Sequence, residues 1–289
     1  MTETSTRQIH LLEGGRVLAE YGPMQLLISA SIGTIPQVTE CVRAAKQSFH
    51  YLESVALHKD SIFAPWPRVK GHIGDEIVDS MVSASRVVGD RDLTPMAAVA
   101  GAIADAVADF LYERGMTRVI VNNGGDVAIR IGRGQSVRIG VGPQEKLGGS
   151  PVTIVLGDCQ RSWGVASSGL GGRSLTKGIA QLVTVVSAKA AHADAAATAI
   201  ANATFVEDPC VSIVDAEDID PNTDIAGTRV VSGVGEISEA TVALGLKRGK
   251  KKADELIARG TIAGAFIVIK DRVALAGSFE ELMSRGKIH

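Results

Sequence analysis

The 289-residue sequence predicts a mixed α+β fold in which antiparallel sheets are backed by helices. Three observations lead there. Short β-branched runs at 118–122, 127–131, 137–141 and 152–156 follow one another across Gly/Pro connections with no room for a crossover helix, which is how antiparallel strands are joined. Two alanine-dominated stretches, 95–114 and 188–203, have the composition and length of long helices. Between 37 and 57, Val38, Val42, Ala45, Phe49, Leu52 and Val55 recur at steps of three and four, the pattern of an amphipathic helix.

Taken in order, 17–31 reads as two short strands turned at Gly22-Pro23. The 37–57 helix carries Lys46, Glu53 and His58 on its polar side. The Pro- and Gly-punctuated segment 61–74 is a loop offering Trp66 as a flat apolar surface, with His72 read as a surface histidine. A short apolar stretch spans 77–88. Thr94 is a good N-cap with Pro95 at the first helical position, and Gly115 ends the helix. Ala100, Gly101 and Ala104 leave one face of that helix almost bare, suited to close packing or to a ligand lying against backbone. Asn123-Gly124-Gly125-Asp126 turns the chain between strands. A glycine- and serine-rich loop follows Gly164, then the strand 182–186 and the alanine helix. Strand 211–214 leads into the acidic stretch 215–224. Helices at 238–246 and 250–259 precede a closing hairpin, 263–269 with 272–276, around Lys270-Asp271.

Composition narrows the function. The 30 basic and 32 acidic residues give a net charge of −2, without the electrostatic footprint of a dedicated nucleic-acid binder, so no nucleic-acid partner is expected. With 45% hydrophobic residues the chain can bury one large core or two smaller ones, and we expect a single domain of two intimate halves. Cys41, Cys159 and Cys210 are widely spaced and read as buried thiols. The first residues lack the pattern of a basic region followed by an apolar one, and no apolar run is uninterrupted over a membrane's width. A cytoplasmic location without membrane contact is therefore expected.

Two places carry candidate chemistry. Asp194 and Thr198 are four apart and share a helix face, so a carboxylate and a hydroxyl point the same way. That pair suits a hard cation such as magnesium; it equally suits a helix cap beside a hydroxyl bonded back to a carbonyl, the commoner case on spacing alone. The paired glycines of the NGGD turn let a ligand approach backbone, or simply make a hairpin. The acidic stretch lacks the glycine and terminal glutamate of a calcium loop and reads as a solvated connection. The basic cluster 247–252 reads as a solvated helix end.

Three segments together resemble the ApbE family of magnesium-dependent FAD:protein FMN transferases. They are Ala98–Asp105 (AVAGAIAD), similar to that family's IAKGYAVD; Val121–Asp126 (VNNGGD), similar to VNLGGD; and Val165–Gly169 (VASSG) followed by Ala193–Thr198 (ADAAAT), similar to TSG and ADALAT. The likeness covers roughly 17–205, leaves 210–289 as an extension, and is nearest to a cytosolic branch of the family. It implies a T-fold-like ApbE architecture, with FAD or a related flavin nucleotide and Mg2+ held between two halves. By position it makes Asp194 and Thr198 the metal ligands. It sets Gly124, Gly125, Asp126, Ser167, Ser168 and Gly169 around the nucleotide; Arg173 or Lys177 is our own candidate to replace the positive charge missing for a phosphate, against the alternative of a solvent-facing loop. The departures are specific: the family's lysine is Ala100 here, its HIIDPRTG segment is replaced by SLTKGIAQL, and no lipid-attachment cysteine stands near residue 1. The resemblance thus implies an FMN transferase or diphosphate-cleaving enzyme, or a nucleotide-binding protein that has lost the transfer chemistry. The expected partner is a small nucleotide, and twofold assembly is the base-rate expectation.

Overall fold

A computed structural model describes residues 6–141, 152–172 and 174–284. Its first part runs β1 (Gln8–Leu12), β2 (Arg16–Tyr21), β3 (Met24–Ile32), β4 (Ile35–Pro36), α1 (Val38–Leu57), α2 (Lys59–Ile62), α3 (Glu76–Val88), α4 (Val99–Glu113), β5 (Arg118–Asn123) and β6 (Asp126–Ile131). The hairpin β7 (Ser136–Val141) and β8 (Val152–Gly157) follows. The chain continues through β9 (Ser162–Ser168), β10 (Leu182–Ser187), α5 (Ala190–Ala203), β11 (Val211–Asp215), α6 (Ala216–Ile219), β12 (Arg229–Val234), α7 (Glu239–Ala258), β13 (Gly264–Ile269), β14 (Arg272–Gly277) and α8 (Phe279–Ser284).

Ten strands make one sheet in the order β1-β2-β3-β5-β6-β9-β10-β13-β14, with β4 paired to β3. Every pairing in it is antiparallel, as the short connections predict. The connectivity repeats about the β6–β9 seam. Hairpin β2–β3, helices and hairpin β5–β6 on one side match hairpin β9–β10, helices and hairpin β13–β14 on the other. Of the stretch after residue 210, β13 and β14 are built into this sheet, while β11 and β12 pair with each other in a separate two-stranded sheet.

Helices cover one face: α1 lies on β2 and β3, α4 on β5 and β6, α5 on β9 and β10, and α7 on β13 and β14. The main core fills this layer. On the opposite face a second core forms under β7–β8 and α8, where Phe266 and Phe279 stack at 5.6 Å. Pro95–Glu113 is the one helical stretch among the described residues long and apolar enough to cross a membrane, and it packs against the sheet, α1 and α5.

Several expectations change. The segment expected to be a glycine- and serine-rich loop is strand β9 as far as Ser168. It is paired on both sides, to β6 and β10, and ladder bonds outweigh the poor strand preference of Gly and Ser. The two helices expected at 238–259 are one helix. Its glycines are contact points rather than breaks, since a Cβ on Gly245 would sit 2.8 Å from Ile269 and one on Gly249 2.8 Å from Thr204. Strands β1 and β12 were not foreseen. Thr94 does not cap with its side chain; its hydroxyl donates to Asp224 instead. Of the cysteines only Cys41 is buried, while Cys159 and Cys210 are exposed.

Candidate active site

The site lies where β6, α4 and α5 meet. Helix α5 begins against backbone: a Cβ on Gly101 of α4 would stand 2.4 Å from the Ala190 carbonyl oxygen, and one on Gly164 of β9 would stand 2.2 Å from the Ala190 nitrogen. Only glycine permits that approach, so the bare face of α4 is a packing face. The contact brings Asp194, in the first turns of α5, over the start of α4. There its carboxylate accepts the Gly101 N–H at 3.0 Å. The cap expected of Asp194 is thus real, and it caps the neighbouring helix rather than its own.

Asp194 also lines a cavity of about 440 Å³ with Thr198 and Asn202, one stripe of α5 at steps of four. Asp126, from the start of β6, lines the same cavity, and its carboxylate accepts the Ser167 N–H at 3.3 Å. Burial, reinforced by neighbouring Asp126, pushes the Asp194 carboxyl well above the usual carboxylate range, against the pull of the Gly101 and Ala100 amides. Two acids so placed are stable when they share a proton or a cation. Lys177, whose ammonium faces Asp92 at 3.5 Å, and the acidic stretch at Asp220, Asn222, Thr223 and Asp224 also line this cavity, beside apolar groups that include Phe63, Leu93 and Met96. Burial raises the Asp224 carboxyl although Thr94 donates to it. The stretch read as a solvated connection therefore borders the cleft.

A larger cavity of about 730 Å³ adjoins, sharing Ala100, Asp126 and Ser174 with the first. It is lined by Asn123, Gly124, Gly125, Ser167, Ser168, Leu170, Gln181 and Leu182, so four of the expected nucleotide-site residues share one cleft with Asp126. The glycine amides have internal partners: Gly124 N–H donates to the Gln25 carbonyl at 3.1 Å and Gly125 N–H to Asn122 Oδ1 at 2.8 Å. Backbone capture of phosphate there would require breaking these bonds. Ser168, 7% exposed, has no hydrogen-bond partner for its hydroxyl among the described residues, a buried polar group left for something in the cavity.

Gly169 is the exception. At φ 129°, a Cβ on it would stand 2.8 Å from the carbonyl oxygens of Ala180 and Gln181, and it borders neither cavity. It turns the chain at the end of β9. Arg173 lies outside the described residues. Sequence reasoning missed Asn202, although its spacing from Thr198 signalled it; Asn202 accepts the Lys177 N–H at 2.9 Å and so holds that lysine's backbone at the cavity edge. It also missed Asn123, whose amide donates to the Ala100 carbonyl at 3.2 Å.

In fold, the chain is of the ApbE flavin-transferase class. It superposes on the apo flavinyl transferase ApbE of Pseudomonas stutzeri over 98% of this chain and 99% of that one, with a TM-score of 0.55 at 13% identity. The family model described as AbpE bacteria matches residues 9–278, and the chain belongs to that family. Among curated relatives, a UPF0280 protein of Archaeoglobus fulgidus is 32% identical over 161 residues, covering 56% of this chain and 64% of that protein. One of Methanocaldococcus jannaschii is 30% identical over 213 residues, covering 73% and 70%. The chain spans about half to two thirds of the length of most such relatives.

Proposed function

We propose that the cleft binds a flavin nucleotide together with Mg2+ and acts at its diphosphate. The observation that carries this is the Asp126–Asp194 pair at the junction of the two cavities, with the Thr198 hydroxyl one turn further along α5. These three groups fit a hard cation, which takes one or two carboxylates and completes its shell with phosphate oxygens and water. Charge supports the same reading. Asp92, Asp126, Asp194, Asp220 and Asp224 face the smaller cavity against Lys177 alone among its described lining residues, so a diphosphate enters only with a compensating cation.

When bound there, Mg2+ would neutralise the phosphate oxygens and stabilise the leaving group. The protein's part is positional. Asp194 is fixed by the α4 amide, Asp126 by the Ser167 amide, and Ser168 offers its hydroxyl to the ligand in the larger cavity. Attack by water would give FMN and AMP, whereas attack by an acceptor hydroxyl would move FMN to that acceptor and release AMP. Incubation of the protein with FAD and Mg2+, followed by chromatography, tests this: FMN or AMP appears with Mg2+ and not with chelator.

A second reading, binding without turnover, is favoured by one observation. No histidine borders either cavity among the described residues; the motif resemblance also puts Ala100 where the family's lysine would stand. Mg2+-dependent FAD retention without product would select it. A protein that neither retains nor cleaves FAD overturns both.

A further inference from the structure

Asp126 and Asp194 stand on elements that are joined again one step deeper. Strand β6 carries Asp126 and, four residues on and on the same face, Arg130. Helix α4 carries Gly101 and, one turn on, Asp105. Helix α5 carries Asp194 and, three residues earlier, Ala191. In the cleft Gly101 donates to Asp194. Below it, Arg130 Nη2 donates to Asp105 Oδ1 at 2.9 Å, and Asp105 Oδ2 accepts the Ala191 N–H at 3.0 Å. One buried carboxylate therefore ties the strand and both helices that carry the site.

The rest of this junction supplies no direction. Residues 190, 191, 193, 195, 196 and 197 of α5 are all buried alanines, and they meet glycine at 101 and 164. Such smooth surfaces pack closely, but burial of apolar area does not fix rotation or slide. Helix α5 also has no side-chain cap of its own, since Lys189 holds that position. Asp105 supplies the missing cap from the neighbouring helix, and Arg130 holds Asp105 on the strand that bears Asp126. Asp105 and Arg130 are 7% and 5% exposed and line neither of the two site cavities, so they are too deep to meet a ligand there.

We propose that Asp105, held by Arg130, is the positioning residue that sets Asp194 against Asp126 for cation binding; this rests on the metal reading above. A matched control is built in. Asp109 accepts from Arg130 Nε at 2.6 Å and from Nη2 at 3.1 Å, yet makes no bond to α5 among the described residues.

The test is titration of the full chain with Mn2+, followed by electron paramagnetic resonance, for wild type and the Asp105→Ala, Asp105→Asn and Asp109→Ala variants. Loss of a group that orients a metal ligand typically weakens affinity on the order of 10-fold or more, and that loss is expected for Asp105→Ala. Asp105→Asn should recover only part of it, because the amide oxygen still accepts the Ala191 N–H while the amide NH2 faces the Arg130 donor. Asp109→Ala should bind as wild type does. Equal Mn2+ affinity in wild type and Asp105→Ala overturns the proposal while leaving the metal site standing. Absence of Mn2+ binding by wild type overturns the metal reading, and the proposal with it. Should Asp105→Ala not fold, amide exchange in wild type decides: Mg2+ should slow exchange at both Gly101 and Ala191, and slowing at Gly101 alone refutes the coupling.

Discussion

Asp194 combines two roles that sequence reasoning held apart, a helix cap and a cavity carboxylate, and its protonation connects them. Its folded pKa lies well above the ordinary 3.8. Between those values the native state holds a proton that the unfolded chain has released, so stability falls as pH rises through that window. A cation competes with this proton, and Mg2+ should therefore stabilise the protein more at neutral than at mildly acidic pH. Asp194→Asn should flatten the pH slope and remove the Mg2+ effect while keeping the fold, because Asn caps about as well as Asp. Thr198→Val should reduce the Mg2+ effect less. Denaturant titrations with and without Mg2+ across pH check this, and an unchanged slope in the Asn variant refutes it. Gly125 offers a second residue-level case. Its φ of 118° is strained for any side chain, yet an added Cβ would meet nothing within 4 Å. Gly125→Val should cost roughly 1–3 kcal/mol through the backbone. It should also weaken FAD binding beyond that loss, since the side chain projects into the cleft; calorimetry at a temperature where the variant is folded separates the two.

At the scale of elements, the site depends on how closely α5 approaches α4 and β9. Gly101→Ala places a methyl 2.4 Å from the Ala190 carbonyl oxygen, and the helices must part to admit it. Overpacking of this kind costs about 1–3 kcal/mol. The same displacement lengthens the Gly101–Asp194 bond, so Mg2+ affinity should fall along with stability. A variant that unfolds at the wild-type denaturant midpoint would show that the junction yields more easily than its geometry implies.

Across the whole molecule, the sheet separates two cores, and the site lies on the helix-covered side. Phe279 is fully buried on the other side, stacked on Phe266 of β13. Phe279→Ala should cost about 3–5 kcal/mol by emptying a large space in that second core. Because β13 pairs directly with β10, the loss should spread through the sheet as one cooperative transition. Unfolding followed by both circular dichroism and tryptophan fluorescence tests this: two separated transitions would mean that the two faces melt independently.

The helices α1, α4 and α5, the hairpins around Gly22 and Lys270, and the antiparallel class were legible in the sequence, because each rests on local periodicity, turn chemistry or connection length. The shared face of Asp194 and Thr198 was legible for the same reason, four residues being about one helical turn. Strand β9 was not, since Gly164, Ser167 and Ser168 become strand through neighbours on both sides that local preference does not contain. Nor was the meaning of Gly245 and Gly249, which look like weak points along a helix and are close contacts between elements. The Asp126–Asp194 pair and the Arg130–Asp105–Ala191 tie join residues between 25 and 86 apart in the chain. Only the folding of β6, α4 and α5 onto one another brings those carboxylates close enough to shift a pKa, because electrostatic coupling depends on distance and burial rather than on position along the chain.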